Sequence, residues 1–71
     1  MSAKEMFEEL GYEEDEEHTS ICAIKVYENI KTGHRIYFDY DKKIDYWGAI
    51  IDLTLLKAIN KQVEELGWFN E

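Results

Sequence analysis

His18 and Cys22 are the residues whose chemistry and spacing could bind a metal ion, because imidazole and thiolate are metal ligands and the two lie four positions apart. Structural zinc takes four protein ligands and catalytic zinc takes three plus a water, so two ligands do not make a site. His34 lies in a predicted turn and could join them only through an accident of the fold. We therefore expect no metal site, with Cys22 as a small apolar residue of the core.

A hydrolytic site could in principle combine Ser20 or Cys22 with His18 or His34. The sequence contains no nucleophile elbow, no group of backbone N–H donors for an oxyanion and no sign of a pocket. Its four glycines are dispersed as helix stops and turns, so there is no glycine-rich phosphate loop. We predict that the protein is not an enzyme, has no catalytic residues and takes no cofactor.

Acidic side chains are concentrated at the start of the chain. Residues 1–17 hold eight acids and one base, for a net charge of −7, whereas residues 18–71 hold eight acids and seven bases, for a net charge of −1. The run "EEDEE" supplies five of these acids, which are Glu13, Glu14, Asp15, Glu16 and Glu17. A chain with net charge −8 should repel nucleic acid, because binding to phosphates relies on Lys and Arg.

The acidic run has two interpretations. In the first, residues 13–18 form a solvated loop that keeps a small protein soluble. In the second, the run is a negative patch that binds a partner with a basic surface, mimicking the charge of nucleic acid. The uneven placement of charge along the chain favours the second interpretation, since solubility alone does not require it.

Aromatic residues are more numerous than one face of a small sheet can hide. Six of them, all in the second half of the chain, are Tyr37, Tyr40, Tyr46, Trp47, Trp68 and Phe69. They can pack under helices and across strand pairs. Alternatively some of them, with Trp47 as the candidate, form an exposed patch for a partner, since Tyr and Trp are common interface anchors.

Two helices are predicted by their end signals. Ser2 and Glu5 have the spacing of a capping box, which predicts a short helix over residues 3–10. Asp52 is a suitable N-cap for a second helix over residues 53–66, whose apolar residues recur at helical spacing. Each helix should pack its apolar stripe against the rest of the domain.

The same helix stop is predicted twice, because "EELG" followed by a large aromatic residue occurs near both ends of the chain. Gly11 and Gly67 should adopt the left-handed conformation that ends many helices. In this ending the aromatic residue after the glycine contacts an apolar side chain five positions earlier. That side chain is Phe7 in the first helix and Val63 in the last.

Between the helices, residues 20–50 are predicted to form a three-stranded antiparallel meander with turns near residues 31–34 and 39–43. In the first strand, Cys22, Ile24 and Val26 alternate with polar and small residues and should share one face.

The sequence does not determine which face of the third predicted strand is buried. Ile44 and Tyr46 would point inward in one arrangement, and Trp47 and Ala49 in the other. The whole pattern predicts a single α+β domain over residues 1–71, with a helix layer packed on one sheet.

Both ends of the chain resemble a group of short uncharacterised proteins encoded by phages and prophages of Firmicutes. Those proteins open with E-M-F-E-x-L-G-Y and close with I-D-x-x-x-x-x-A-I-x-x-Q-x-x-E-L-G-W, as do "EMFEELGY" and "IDLTLLKAINKQVEELGW" here. The resemblance implies a phage or prophage origin and a cytoplasmic location in the bacterial host. It implies no activity and no site residues.

Two functions are therefore expected as alternatives. The first is a small accessory protein that binds a host or phage protein with a basic surface. The second is a structural accessory protein that associates with itself, because a domain this short has a marginal core that a homodimer would complete. No membrane-spanning run of about 18 apolar residues is present in the sequence.

Overall fold

The computed structural model describes residues 1–70, which form two α-helices and one antiparallel sheet. The helices are α1 (Ala3–Glu9) and α2 (Leu53–Glu65), followed by a 3-10 turn at Trp68–Asn70. The strands are β1 (Tyr12–Glu14), β2 (Lys25–Asn29), β3 (Arg35–Phe38) and β4 (Ile44–Trp47). They are neighbours in the order β1-β2-β3-β4, and every pair is antiparallel. The predicted α+β class is confirmed, with four strands instead of three.

The start of each helix matches its sequence signal. The Ser2 hydroxyl accepts from the Glu5 N–H at 3.1 Å, and the Glu5 carboxylate accepts from the Ser2 N–H at 2.9 Å, which completes the capping box. The Asp52 carboxylate accepts from the Leu55 N–H at 2.9 Å. Free N–H groups of the first turn are thereby satisfied at both helices.

The glycine stops are confirmed as well. Gly11 has φ +90° and Gly67 has φ +77°, and the N–H of each donates to a carbonyl three residues earlier. After Gly11, the Tyr12 ring meets the Phe7 ring edge-on with centroids 5.8 Å apart. After Gly67, the Trp68 ring lies against Phe38, with centroids 6.3 Å apart, and the expected contact of Trp68 with Val63 stays a prediction.

Phe7 lies at the centre of the core between the helices and the sheet. Its ring stacks on Tyr27 with centroids 4.1 Å apart and meets Phe38 edge-on at 6.2 Å. The buried Tyr27 hydroxyl donates to Gln62 Oε1 at 2.6 Å, which ties β2 to α2. Burial raises the pKa of the Tyr27 phenol, so this donor stays protonated.

The prediction of a solvated acidic loop over residues 13–18 is wrong for its first part. Glu13 and Glu14 belong to β1, which pairs with β2 so that Tyr12 lies opposite Asn29 and Glu13 opposite Glu28. The strand forms because the buried Tyr12 anchors it beneath α1, while a short edge strand tolerates charged side chains.

The first predicted strand begins later than expected. Residues 20–22 form a turn, Ala23 forms an isolated bridge with Thr19, β2 starts at Lys25, and Cys22 is exposed instead of packed in the core. Ser20 has φ +75°, which breaks an extended conformation. The chain from residue 15 to residue 24 instead covers the sheet face opposite the helices, where Thr19 Oγ1 accepts from the Val26 N–H at 3.2 Å. Val26 is fully buried.

The open question about the third predicted strand is resolved. Ile44 pairs with Phe38 and Tyr46 pairs with Ile36, so these two side chains share the face that the helices cover. Trp47 lies on the opposite face and is 65% exposed. The strand ends at Trp47, earlier than the predicted residue 50.

Candidate interaction site

The five acids of the run fall into two groups. Glu14 accepts from Lys25 Nζ at 3.2 Å, and Asp15 is bound to neighbouring side chains of the sheet face. The other three carboxylates are exposed and form no ion pair with any residue between 1 and 70. They are Glu13, Glu16 and Glu17. We name these three residues the acidic edge.

Arg35 is the cation that holds this region together. Its Nη1 lies 3.1 Å from Asp15 Oδ2 and its Nη2 lies 3.1 Å from Glu28 Oε2, so one guanidinium bridges two carboxylates. Nη1 also donates to the Tyr37 hydroxyl at 3.2 Å. A planar guanidinium suits such multiple contacts, which lysine could not reproduce.

Asp15 has a second partner, His18, in its own turn. His18 Nδ1 lies 2.7 Å from Asp15 Oδ2, and the His18 N–H donates to Asp15 Oδ1 at 3.3 Å. Burial raises the pKa of the Asp15 carboxyl, but the hydrogen bonds from His18 and the charge of Arg35 outweigh it and hold the pKa below its usual value. Asp15 is therefore a structural carboxylate that fixes the turn to the sheet.

Two shallow surface grooves flank the acidic edge. One is lined by side chains of α1 and β1, including Lys4, Glu8, Glu13 and Glu16. The other lies over the turn after β1 and is lined by the whole acidic run together with Glu28 and Arg35. Glu13 and Glu16 line both grooves. Carboxylates so arranged can accept hydrogen bonds from basic side chains such as Lys and Arg.

The metal ligands considered from the sequence are not brought together. Cys22 is exposed, and His18 is engaged by Asp15. The fold instead places ligand atoms of Asp15, Glu17 and His18 within 4.8 Å of one another. Arg35 contacts the same Asp15 oxygen as His18, so a metal ion would meet a fixed positive charge at this position. The arrangement is an ion-pair network.

Of the residues considered for a hydrolytic site, Ser20, Cys22 and His18 lie in one loop between β1 and β2, and His34 lies apart from them between β2 and β3. The His34 ring meets the Tyr46 ring edge-on at 6.2 Å, whereas His18 belongs to the turn after β1. The Ser20 carbonyl accepts from the Tyr40 hydroxyl at 2.8 Å.

Trp47 does not join the acidic edge. It lies on β4, at the far side of the sheet from β1, and its ring is tilted against Tyr37 with centroids 5.6 Å apart. Three strand spacings separate the two strands, which is about 14 Å. The acidic run and Trp47, both considered as partner-binding residues, therefore lie at opposite edges of the sheet.

Arg35, Glu28 and Glu8 belong to the region, although sequence reasoning did not find them. The pairing of Glu13 with Glu28 puts like charges opposite each other, and Arg35 reduces that repulsion. A lone arginine among many acids was the only signal in the sequence.

Comparisons with protein-family models, with curated proteins and with solved structures found no match for this chain. Neither helix within residues 1–70 has the length and apolar character that crossing a membrane requires.

Proposed function

We propose that this chain is a non-enzymatic accessory protein that binds a host or phage protein through the acidic edge. The partner would present a basic surface, and a nucleic-acid-binding protein would present one. A phage or prophage origin, with action in the bacterial cytoplasm, rests on the resemblance of both chain ends described above.

The observation that carries this proposal is that the acidic edge is held on folded backbone and has no ion-pair partner within residues 1–70. Glu13 lies on β1, and the turn that follows is tied to the sheet through Asp15 and Arg35. A preordered surface loses less conformational entropy on binding than a flexible loop does. Its charge should raise the association rate, and salt should screen it over roughly 8–10 Å.

A homodimer without a separate partner is the second candidate. It is favoured by the concentration of exposed apolar side chains, since six of the eleven large hydrophobic residues that are exposed lie between residues 44 and 56.

The test neutralises the acidic edge without touching the ion-pair network. The variant Glu13→Gln/Glu16→Gln/Glu17→Gln removes three unpaired charges. The control Glu9→Gln/Asp41→Asn/Glu64→Gln removes three exposed charges elsewhere, so both variants change the net charge equally. Binding to a lysine-rich peptide, and to proteins captured from host lysate, is measured as salt is raised.

We expect the acidic-edge variant to lose at least about tenfold in affinity and to show a weaker salt dependence, while the control stays close to wild type. If the captured partner binds nucleic acid, DNA should compete with this protein for the partner's basic surface. Equal losses in the two variants would mean that only net charge matters, and that result would contradict a local binding site.

A further inference from the structure

The free edge of β4 has backbone groups available for another strand. The sheet order ends at β4, so within residues 1–70 this strand has a neighbour on one side only. The Asp39 N–H donates to the Lys43 carbonyl at 2.8 Å, which marks the first hydrogen-bonded pair of the β3–β4 ladder. Such pairs alternate along an antiparallel ladder. Asp45 and Trp47 therefore bond to β3, whereas the N–H and C=O groups of Ile44 and Tyr46 point outward.

Exposed apolar side chains are concentrated on β4, on the connection that follows it and on the start of α2. Between 38% and 78% of the surface of each is exposed, and they are Ile44, Trp47, Ile50, Ile51, Leu53 and Leu56. At roughly 100 Å² per side chain they would bury about 600 Å², close to the roughly 800 Å² per partner of a stable interface. An exposed apolar edge of this kind is otherwise a hazard that proteins block with charges.

The flank of α2 continues the same surface. The opposite flank packs on α1, where Glu65 Oε2 accepts from the Ala3 N–H at 2.8 Å. At 100° per residue, Leu56 lies about half a turn away from Glu65 around the helix. Because α1 covers β1, the flank of α2 that bears Leu56 lies toward β4.

The charges near β4 indicate which kind of partner can bind to this edge. Residues 42–57 contain three lysines and two aspartates, so this region is nearly neutral, while the acidic edge lies at the other side of the sheet. A second copy can approach β4 against β4 with the two acidic edges far apart. A twofold axis places two identical strands antiparallel, so each offers its outward groups to the other.

We propose that a second copy of this chain binds the β4 edge, joining two sheets into one of eight strands. The proposal does not depend on the acidic edge. It places Ile44 and Tyr46 in the backbone ladder between the copies and the surrounding apolar side chains in the interface.

Sedimentation velocity over about 1 μM to 1 mM tests the association. Wild type should form a dimer, and Ile50→Lys should weaken it by at least about tenfold, because a charge would be buried in the interface. Ile21→Lys is the matched control, since Ile21 and Ile50 are 79% and 78% exposed and Ile21 lies outside this surface. A monomer throughout the range, or equal weakening by the two variants, would overturn the proposal.

Amide hydrogen exchange tests the strand pairing in the same samples. The Ile44 and Tyr46 amides should be protected in the wild-type dimer and should exchange rapidly in monomeric Ile50→Lys. The Asp45 and Trp47 amides bond to β3 and should be protected in both, which provides an internal control. Unprotected Ile44 and Tyr46 amides in a wild-type dimer would place the interface elsewhere and overturn the proposal.

Discussion

The two edge strands of the sheet, β1 and β4, differ in whether they discourage or allow pairing with another strand. β1 is three residues long, is anchored by the buried Tyr12 and carries carboxylates that discourage a neighbouring strand. β4 carries Ile44 and Trp47 and is followed by an apolar connection to α2. An edge rich in like charge repels another copy of itself, whereas a nearly neutral apolar edge can pair with one.

The edges also differ in what holds them to the rest of the molecule. Beyond Tyr12, β1 is fixed by the Asp15–Arg35 ion pair and by the chain that folds back across the outer sheet face. β4 is fixed by Tyr46, whose hydroxyl donates to the Ile50 carbonyl at 3.3 Å. The β1 edge is therefore held by an ion pair in addition to Tyr12, and the β4 edge by the Tyr46 ring in addition to its ladder with β3.

Truncating Phe7 should lower the stability of the fold more than any other change considered, because this ring joins α1 to β1 and β2. We expect Phe7→Ala to lower the free energy of unfolding by about 3–5 kcal/mol, measured by urea denaturation. Phe69→Ala is the control, since that ring is 66% exposed and should cost far less. Similar costs for both would mean that the β1 edge is not held by this core contact.

Substituting Gly48 should disturb the β4 edge alone. A Cβ at residue 48 would overlap the Tyr46 ring, so the ring must move and its bond to Ile50 must weaken. We expect Gly48→Ala to cost about 1–3 kcal/mol in thermal or urea unfolding. When Tyr46 is already alanine, Gly48→Ala should change the unfolding free energy little, because the ring is no longer there to overlap. If the loss were as large as in the wild-type background, ring overlap would not be its cause.

Neutralising Asp15 should weaken the β1 edge in a pH-dependent way. The pKa of Asp15 is lowered in the folded protein, so its stabilisation is present above its unfolded pKa of about 3.9 and is lost as the pH falls through the folded value. We expect Asp15→Asn to cost about 1–2 kcal/mol at pH 7.

The difference between wild type and Asp15→Asn should shrink on acidification below about pH 4. Glu16→Gln is the control because Glu16 is exposed and forms no ion pair within residues 1–70, so at pH 7 this variant should cost far less stability than Asp15→Asn. A difference for Asp15→Asn that does not change with pH would contradict the ion-pair account.

Truncating Trp47 should have the smallest effect on stability, although tryptophan is the largest side chain. It is 65% exposed on the face away from the helices, so Trp47→Ala should change the unfolding free energy by at most about 0.5 kcal/mol in dilute, monomeric protein. A loss above about 2 kcal/mol would show that Trp47 stabilises the monomer and is not held at the surface for a partner.

The predicted binding residues show how far sequence reasoning reaches into the site. It named the five acids and Trp47 as candidates but did not determine how far apart they lie. Which acids remain free depends on Lys25 and Arg35, which lie ten or more residues further along the chain and reach the acids only through strand pairing. The distance between Trp47 and the acidic edge depends on the strand order, which composition does not encode.

The ends of the helices were determined by the sequence itself, because their signals act within one turn. Ser2 and Glu5 are three residues apart, and Gly11 and Gly67 need only their own backbone freedom. Strand β1, the exposure of Cys22 and the Asp15–Arg35 pair were decided by tertiary structure. A strand needs a partner from elsewhere in the chain, and here Tyr12 beneath Phe7 outweighs the repulsion of the acids beside it.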